Sequence, residues 1–324
     1  MQNLSEVLLS LGMGIVPMFI FAYVVYWTDR YEKEPLIILV GAFLWGAIIA
    51  AGVAYLLNTL LGLSIYLFTN SDAATQLTTG TLIAPLVEES LKGLAVLIIF
   101  LVFRTEFDSL LDGIVYAAIV ALGFAAAENV YYIYSYGFQE NGIEGAIILF
   151  VVRVLLVGWQ HPFYTAFIGI GLAVSRLSKR NEIKIIAPLV GFGFAVFTHS
   201  IHNTFASLMP QAVSLTLGTV LDWSGWFIMV LFILWAVYRE NQWIVEQLRE
   251  EVSLEIISPA QYATACSAWS QTLARFNAMT SGKYKHTNRF YQVCAELAFK
   301  KQQLSTLGEE DGNSSIILRL RSDL

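Results

Sequence analysis

At 324 residues, 56% of them hydrophobic and 14% charged, with a mean hydropathy of +0.62, the chain is too apolar for a soluble domain of ordinary composition. Its net charge of −6 at pH 7 says less than the distribution of charge along the chain, and no nucleic-acid partner is expected. The apolar runs are continuous rather than alternating, which excludes a transmembrane barrel and leaves an all-α, polytopic transmembrane helical bundle with the lipid bilayer as its solvent.

Seven stretches of crossing length follow in order, at about 7–27, 36–61, 81–103, 111–136, 158–177, 185–209 and 223–238. The first has no Lys or Arg before it and no small-residue cleavage site after it, the pattern of a retained helix rather than a signal peptide. Basic residues alternate between loops. Arg30 and Lys33 follow the first stretch, Arg104 the third, and Arg176, Lys179, Arg180 and Lys184 the fifth, while the loops after the second and sixth have none. By the positive-inside rule the N-terminus is outside and the C-terminal tail cytoplasmic. The segment 144–177 is too long for one straight crossing. Residues 143–157 are therefore expected to lie in the outer interface or dip into the membrane, with Arg153 snorkelling to the headgroups.

The domain organisation expected is a membrane-embedded unit over 1–238 and a small helical tail over 239–324. The tail holds amphipathic stretches at 239–252, 259–279 and 289–304, a Ser258–Pro259 helix start and a flexible joint at 308–315. Cys266 and Cys294 both fall in it, where a cytoplasmic location argues against a disulfide, and His286 is expected to be solvated.

Charges inside the apolar stretches carry the functional signal. Glu88, Glu89 and Lys92 stand near the middle of the third, where each costs about 2.5–3.5 kcal/mol on insertion scales. Glu128 and Asn129 lie on the fourth stretch, His161 on the fifth, and His199, His202 and Asn203 on the sixth. Counted from the inner ends, Glu88, Glu128, His161 and His199 sit about 14–17 residues in, or roughly 21–26 Å, a common level in the outer half of the bilayer. Glu88 and Lys92, at i,i+4, are placed for an intrahelical ion pair, as are His199 and Asn203 for one shared face. The bland readings are a structural Glu88–Lys92 pair, a Glu128–Asn129 interhelical bond and a packing role for His161.

Converging carboxylates and imidazoles in a dry cavity support proton transfer to and from water, with His and Asn donors at an oxyanion. They also support a zinc site through Glu89, Glu128, His161 and His199, although no His-Glu-x-x-His helix is present. A proton- or cation-coupled transporter built on the same residues is the alternative, but no internal repeat is visible. A non-catalytic scaffold that binds membrane helices is a further one.

In Glu88-Glu89-x-x-Lys92, Phe124-x-x-x-Glu128-Asn129, His161 with Gly169 downstream, and His199-x-x-His202-Asn203, the chain resembles the PrsW family of intramembrane proteases. That family shares a clan with the CAAX prenyl endopeptidases. The resemblance runs from Asp29-Arg30-Tyr31-Glu32 to Asn203. It implies an endopeptidase whose catalytic residues are Glu88, Glu89, Glu128, His161 and His199, with Asn203 as an oxyanion or orienting donor and Lys92, Asn129 and His202 in support. It also implies glutamate-type or metal-dependent hydrolysis, a bacterial cell membrane, and single-pass membrane protein substrates such as anti-sigma factors, cut near the outer face. Glu128 replaces the His of the CAAX branch, so prenyl-protein activity is not implied, and His202 stands where relatives often carry an aromatic residue.

Overall fold

The computed structural model describes residues 2–309 and 312–324, and among these the chain is helical with no strand. Helix α1 (Gln2–Thr28) is followed by α2 (Leu36–Leu44) and α3 (Ala51–Thr69), which run on through a wider π-helical turn at Trp45–Ala50. Helix α4 (Asp72–Thr78) leads through a second π-helical turn, Thr79–Ile83, into α5 (Ala84–Val102). Then come α6 (Leu110–Tyr132), α7 (Gln139–Leu149), α8 (Gln160–Arg176), α9 (Asn181–Leu208), the short α10 (Gln211–Val213) and α11 (Thr219–Gln247).

Each of the seven expected crossings falls on a helix. Five continuous helical stretches are long and apolar enough to cross a membrane: Leu4–Thr28, Leu36–Thr69, Leu110–Arg176, Asn181–Leu208 and Ser214–Ser253. The long third one contains two expected crossings and the segment between them. Helix α5 has the length of a crossing but carries Glu88, Glu89 and Lys92. The chain is a multi-pass membrane protein.

Helix α6 is the axis of the bundle, buried at every position from Leu111 to Ala126. Its small residues explain how. Without a hydrophobic drive between helices in lipid, close backbone approach supplies the packing. A methyl group on Gly113 would lie 2.3 Å from the Gly169 carbonyl oxygen of α8, and one on Gly169 would lie 1.9 Å from that of Gly113. On the other side a methyl on Gly123 would meet the Phe43 carbonyl at 2.0 Å. Gly169 is thus a packing residue of the α6–α8 crossing. Gly191 likewise faces the Phe167 carbonyl, whereas Gly193 has open space beside it. Helix α6 starts on a capping box in which Ser109 Oγ accepts from the Leu111 and Asp112 amides and Asp112 accepts from the Ser109 amide.

After α6 the chain turns at Asn141 and Gly142, the latter at φ 61°, and comes back on itself. Gly137 packs on Gly145 and Ala146, and the returning chain, π-helical over Phe150–Leu156, brings Arg153 alongside Glu128. The segment expected in the outer interface or dipping into the membrane, 143–157, thus packs back against the end of α6.

Helix α11 continues unbroken through residue 238. Beyond it, α12 (Arg249–Ser253), α13 (Pro259–Ala265), α14 (Ala268–Thr280), α15 (Tyr284–Leu307) and α16 (Asn313–Asp323) share a core of Ile244, Leu248, Ile257, Tyr291, Leu297, Phe299 and Leu320 with Tyr31. Ser258 and Gln261 form the capping box at Pro259. Of the joint expected at 308–315, residues 310–311 lie outside the described residues and 313–315 open α16. Both cysteines are free and His286 is exposed. The tail grips the membrane unit through Lys300, whose Nζ donates to Asp108 Oδ2 and to the Thr105 carbonyl, each at 2.8 Å. Nearby, Asp29 is buried in the α1–α2 link and accepts from the Glu34 amide; burial pushes its carboxyl up to about 7 against the pull of Lys33.

Replacing Gly169 with Val is expected to cost at least about 1–3 kcal/mol and to lower the thermal midpoint in detergent, whereas Gly193→Ala leaves it unchanged. Asp29 gives a pH signature. Because its folded pKa lies above the unfolded value, the folded state holds the proton longer. Its contribution to stability is full below about pH 4 and is lost as pH rises to about 7. Thermal midpoints measured across that window should fall less steeply for Asp29→Asn.

Candidate active site

Helix α5 supplies the centre. Glu89 and Lys92 are fully buried, and the Lys92 ammonium donates to Glu89 Oε1 at 2.5 Å. His199 Nδ1 lies 2.9 Å from the same oxygen, and Thr165 Oγ1 donates to Glu89 Oε2 at 2.9 Å. Lys92 therefore pairs at i,i+3 with Glu89, not at i,i+4 with Glu88 as the spacing suggested. Both spacings bring side chains together on a helix, and the packing decides. Lys92 turns toward α6 and α8, where its Nζ is 4.5 Å above the Phe124 ring and 3.2 Å from His161 Nδ1. Glu88 turns the other way, toward Asn58 of α3 and His199 of α9.

The carboxylate of Glu89 holds the Nδ1 proton of His199 and so fixes its tautomer, leaving the Nε2 lone pair 3.9 Å from Glu88 Oε2. Stacking of the Tyr164 ring on the imidazole, centroids 4.7 Å apart, sets its plane. Glu88 Oε2 is buried and has no hydrogen-bond partner. A buried carboxylate oxygen left open is costly, which marks it as an atom kept for something else.

Opposite, Glu128 Oε2 accepts from Arg153 Nη2 at 2.7 Å and lies 2.8 Å from His161 Nε2. The guanidinium carbon of Arg153 is 3.8 Å from the Tyr132 ring centre, and its buried Nε has no partner. Arg153 thus does not snorkel away. The returning segment carries it inward, where ion pairing with Glu128 and stacking on Tyr132 outweigh hydration.

Glu88, His161 and His199 offer ligand atoms that all lie within 4.8 Å of one another. One carboxylate and two imidazoles are a donor set that zinc takes readily, and the open Glu88 Oε2 and the oriented His199 Nε2 fit it. Of the four ligands expected, the two His belong to this group, His161 by exchanging its contact with Lys92 or Glu128 for the ion. Glu89 is engaged with Lys92, Thr165 and His199, and Glu128 with Arg153 and His161.

His202 and Asn203 lie on the rim. His202 Nδ1 is 3.1 Å from Asp222 of α11, and Gln160 Nε2 reaches both at 2.5–2.7 Å. Asn203 Nδ2 donates to the Gly80 carbonyl at 2.8 Å. Asn129 is buried in a small pocket with Arg153, Gln160 and His161. Residues not anticipated from the sequence are Arg153, Asn58, Gln160, Tyr164, Thr165 and Asp222. Gln160 stands next to His161 and Asp222 just before the last apolar stretch, so both were within sight; Thr165 and Tyr164 carry no mark that separates them from packing residues.

Two cavities meet at these groups. One of about 320 Å³ is lined by Glu88, Glu128, Arg153, Gln160, His161, His199, His202 and Asn203. The other, about 640 Å³, is a groove between α2–α3 and α6 walled by Ala47, Ala51, Gly52, Phe124 and Ala127, with Tyr55 and Tyr131 in edge contact across it. Glu88, Glu128 and Tyr132 line both.

A multi-pass helical bundle with a buried Glu–His centre open to a lateral groove has the make-up of an intramembrane hydrolase. The comparisons give the particular kind. A family model described as "PrsW family intramembrane metalloprotease" matches residues 34–237. Protease PrsW of Clostridioides difficile (strain 630) is 34% identical over 187 residues, which are 55% of this chain and 72% of that one. Protease PrsW of Geobacillus kaustophilus (strain HTA426) is 30% identical over 192 residues, 59% and 76% of the two chains, and that of Bacillus subtilis (strain 168) is 30% identical over 165 residues, 51% and 68%. No solved structure matches. The chain belongs to the PrsW family and is an intramembrane protease, which displaces the transporter and scaffold readings.

The donor set generates a binding prediction. Zinc retained by the purified, dialysed protein, measured by elemental mass spectrometry, should be lost in His199→Ala. In Thr165→Val, where Glu89 loses one of its holders, affinity should drop about 10–100-fold.

Proposed function

We propose that this protein is an endopeptidase that hydrolyses a peptide bond in or beside the transmembrane helix of a single-pass membrane protein, an anti-sigma factor being one such substrate. The observation that carries the proposal is the open, buried oxygen of Glu88 facing His199 Nε2 at the meeting point of the two cavities.

The 1–238 unit is taken as the protease and 239–324 as a cytoplasmic appendage, with the N-terminus outside a bacterial cell membrane. In support, Glu88 and His161 stand 14–15 residues before the ends of α5 and α8, at Val102 and Arg176, and Glu128 and His199 stand 18 residues after the starts of α6 and α9, at Leu110 and Asn181. That is about 21–27 Å from the basic side, in the outer half of the bilayer.

Glu88, His161 and His199 would hold the metal. When bound there, zinc supplies Lewis acidity and acidifies water to a pKa of about 7. The protein's own groups do the rest. Glu89, anchored by Lys92 and Thr165, keeps the His199 tautomer fixed through the cycle. Glu128, on the wall of both cavities, is placed to receive the proton of the attacking water and pass it to the departing amine. Arg153, with its unpartnered Nε, and Asn203, with an amide on the cavity wall, are donors for the tetrahedral oxyanion.

An intact helix hides its carbonyls, so the substrate must unwind to reach this centre. The groove between α2–α3 and α6 supports an approach from the lipid. Gly52 lines it with nothing within 4 Å of an added methyl, so a side chain introduced there starts in the open space of the groove.

Cleavage of a single-pass reporter co-reconstituted with the protein tests the reading. Wild type should cut it; Glu88→Gln and His199→Ala should reduce cutting at least about 100-fold, and chelation should do the same. Gly52→Leu should slow the membrane reporter yet spare a short soluble peptide. Full cutting by Glu88→Gln would refute the assignment.

A further inference from the structure

Helix α14 of the tail bears four large apolar side chains on one face. Trp269, Leu273, Phe276 and Met279 follow at i, i+4, i+7 and i+10 and are 75%, 50%, 62% and 62% exposed. The opposite face is occupied: Gln271 and Ala278 are buried and Ala274 packs into the tail core. A contiguous apolar face of this kind on an otherwise polar appendage calls for a cover.

The position of α14 indicates which. Asn241 Nδ2 donates both to Tyr31 Oη and to the Cys266 carbonyl, at 2.8 Å each, so the start of α14 is tied to a residue three places beyond the end of α1. Farther along α14, Arg275 comes within electrostatic reach of Tyr26 and Arg30. The helix therefore lies close to the end of α1. At that same end α1 exposes Tyr23 and Trp27, aromatic residues suited to a headgroup boundary.

Charge points the same way. Residues 256–295 contain no Asp or Glu, in a chain of net charge −6, yet include Arg275, Lys283 and Lys285. Arg30 stacks on Trp27 at 3.9 Å, and neither it nor Arg275 has an ion-pair partner among the described residues. The Arg275 Nε is buried and has no hydrogen-bond partner, and Lys283 and Lys285 are exposed. Two guanidiniums within electrostatic reach of each other and without an acid partner suit a phosphate.

We propose that α14 is a membrane-surface helix. Its Trp269–Met279 face lies in the headgroup–acyl boundary of the leaflet at which α1 ends, with Arg30, Arg275, Lys283 and Lys285 against anionic phospholipid headgroups. The tail is then docked on two sides, by Lys300 on the membrane unit and by α14 on the lipid itself. This does not depend on the protease assignment.

The test uses the full chain in Cys266→Ser form, reconstituted in vesicles of phosphatidylcholine with or without phosphatidylglycerol and carrying a brominated acyl lipid. Cys294 is buried, and burial pushes its thiol up to about 12, so it does not compete for an environment-sensitive thiol probe. Probes go on Phe276→Cys, on Leu273→Cys as a second position, and on Ser322→Cys. The last follows Arg321, which pairs with Glu251 of α12, beyond the end of α11 away from the membrane. The 273 and 276 probes should shift to the blue and lose at least half their emission to brominated lipid, more so with phosphatidylglycerol present, while 322 emits as in water. Arg275→Gln with Lys283→Gln and Lys285→Gln should abolish the extra quenching by anionic lipid. Emission at 273 and 276 as in water, in both compositions, would overturn the proposal and leave a protein partner as the cover. Equal quenching with and without phosphatidylglycerol would overturn the anionic-headgroup contacts.

Discussion

Everything in the membrane centre depends on how one buried negative charge is satisfied. Glu89 has no access to solvent, and inside a bilayer an unpaired carboxylate is not sustainable. Its two oxygens are taken by Lys92 of the same helix, Thr165 of α8 and His199 of α9. Those bonds join three helices at one level and leave the next residue, Glu88, as the carboxylate with an oxygen to spare. Two adjacent glutamates thus serve opposite ends. One is saturated so that the other need not be.

A second division of labour runs through the backbone. Close approaches at Gly113, Gly123 and Gly169 pack the first four turns of α6 out of reach of solvent and lipid. The cavity-facing Glu and His residues come from regular helices, but several of the groups around them come from less regular places. The π-helical turn Trp45–Ala50 provides Ala47 to the groove, Thr79–Ile83 provides the Gly80 carbonyl that holds Asn203, and Phe150–Leu156 provides Arg153. Widened turns recur at functional sites because they leave backbone and side chains off the regular ladder.

Most of the membrane architecture was legible in the sequence because a bilayer punishes polar atoms so uniformly that apolar run length gives the helices. The site was legible for a related reason: Glu88, Glu89, Glu128, His161 and His199 stand out against an apolar background, and the structure brings all five together. What a linear reading could not supply was partner choice. Spacing allows Lys92 to reach either glutamate, and only the positions of Phe124 and His161 show which. Arg153 was misread because snorkelling is what an arginine near an interface ordinarily does; the fold-back at Asn141–Gly142 reverses that, and no local pattern announces it. Thr165 is one polar hydroxyl among many, and its importance exists only through Glu89.

The shared wall of the two cavities has a further consequence. Hydrolysis of a membrane helix is a reaction between two reagents that do not mix, one dissolved in hydrocarbon and one in water. The groove, with its alanines and glycine, has a lining of the apolar kind, the smaller cavity, with its histidines and Asn203, one of the polar kind, and Glu88 and Glu128 border both. The pair of carboxylates thus works as a phase boundary a single residue thick. Each reagent can reach the same atoms from its own solvent, so the protein need not carry water through lipid, nor a helix through water, to bring them into contact.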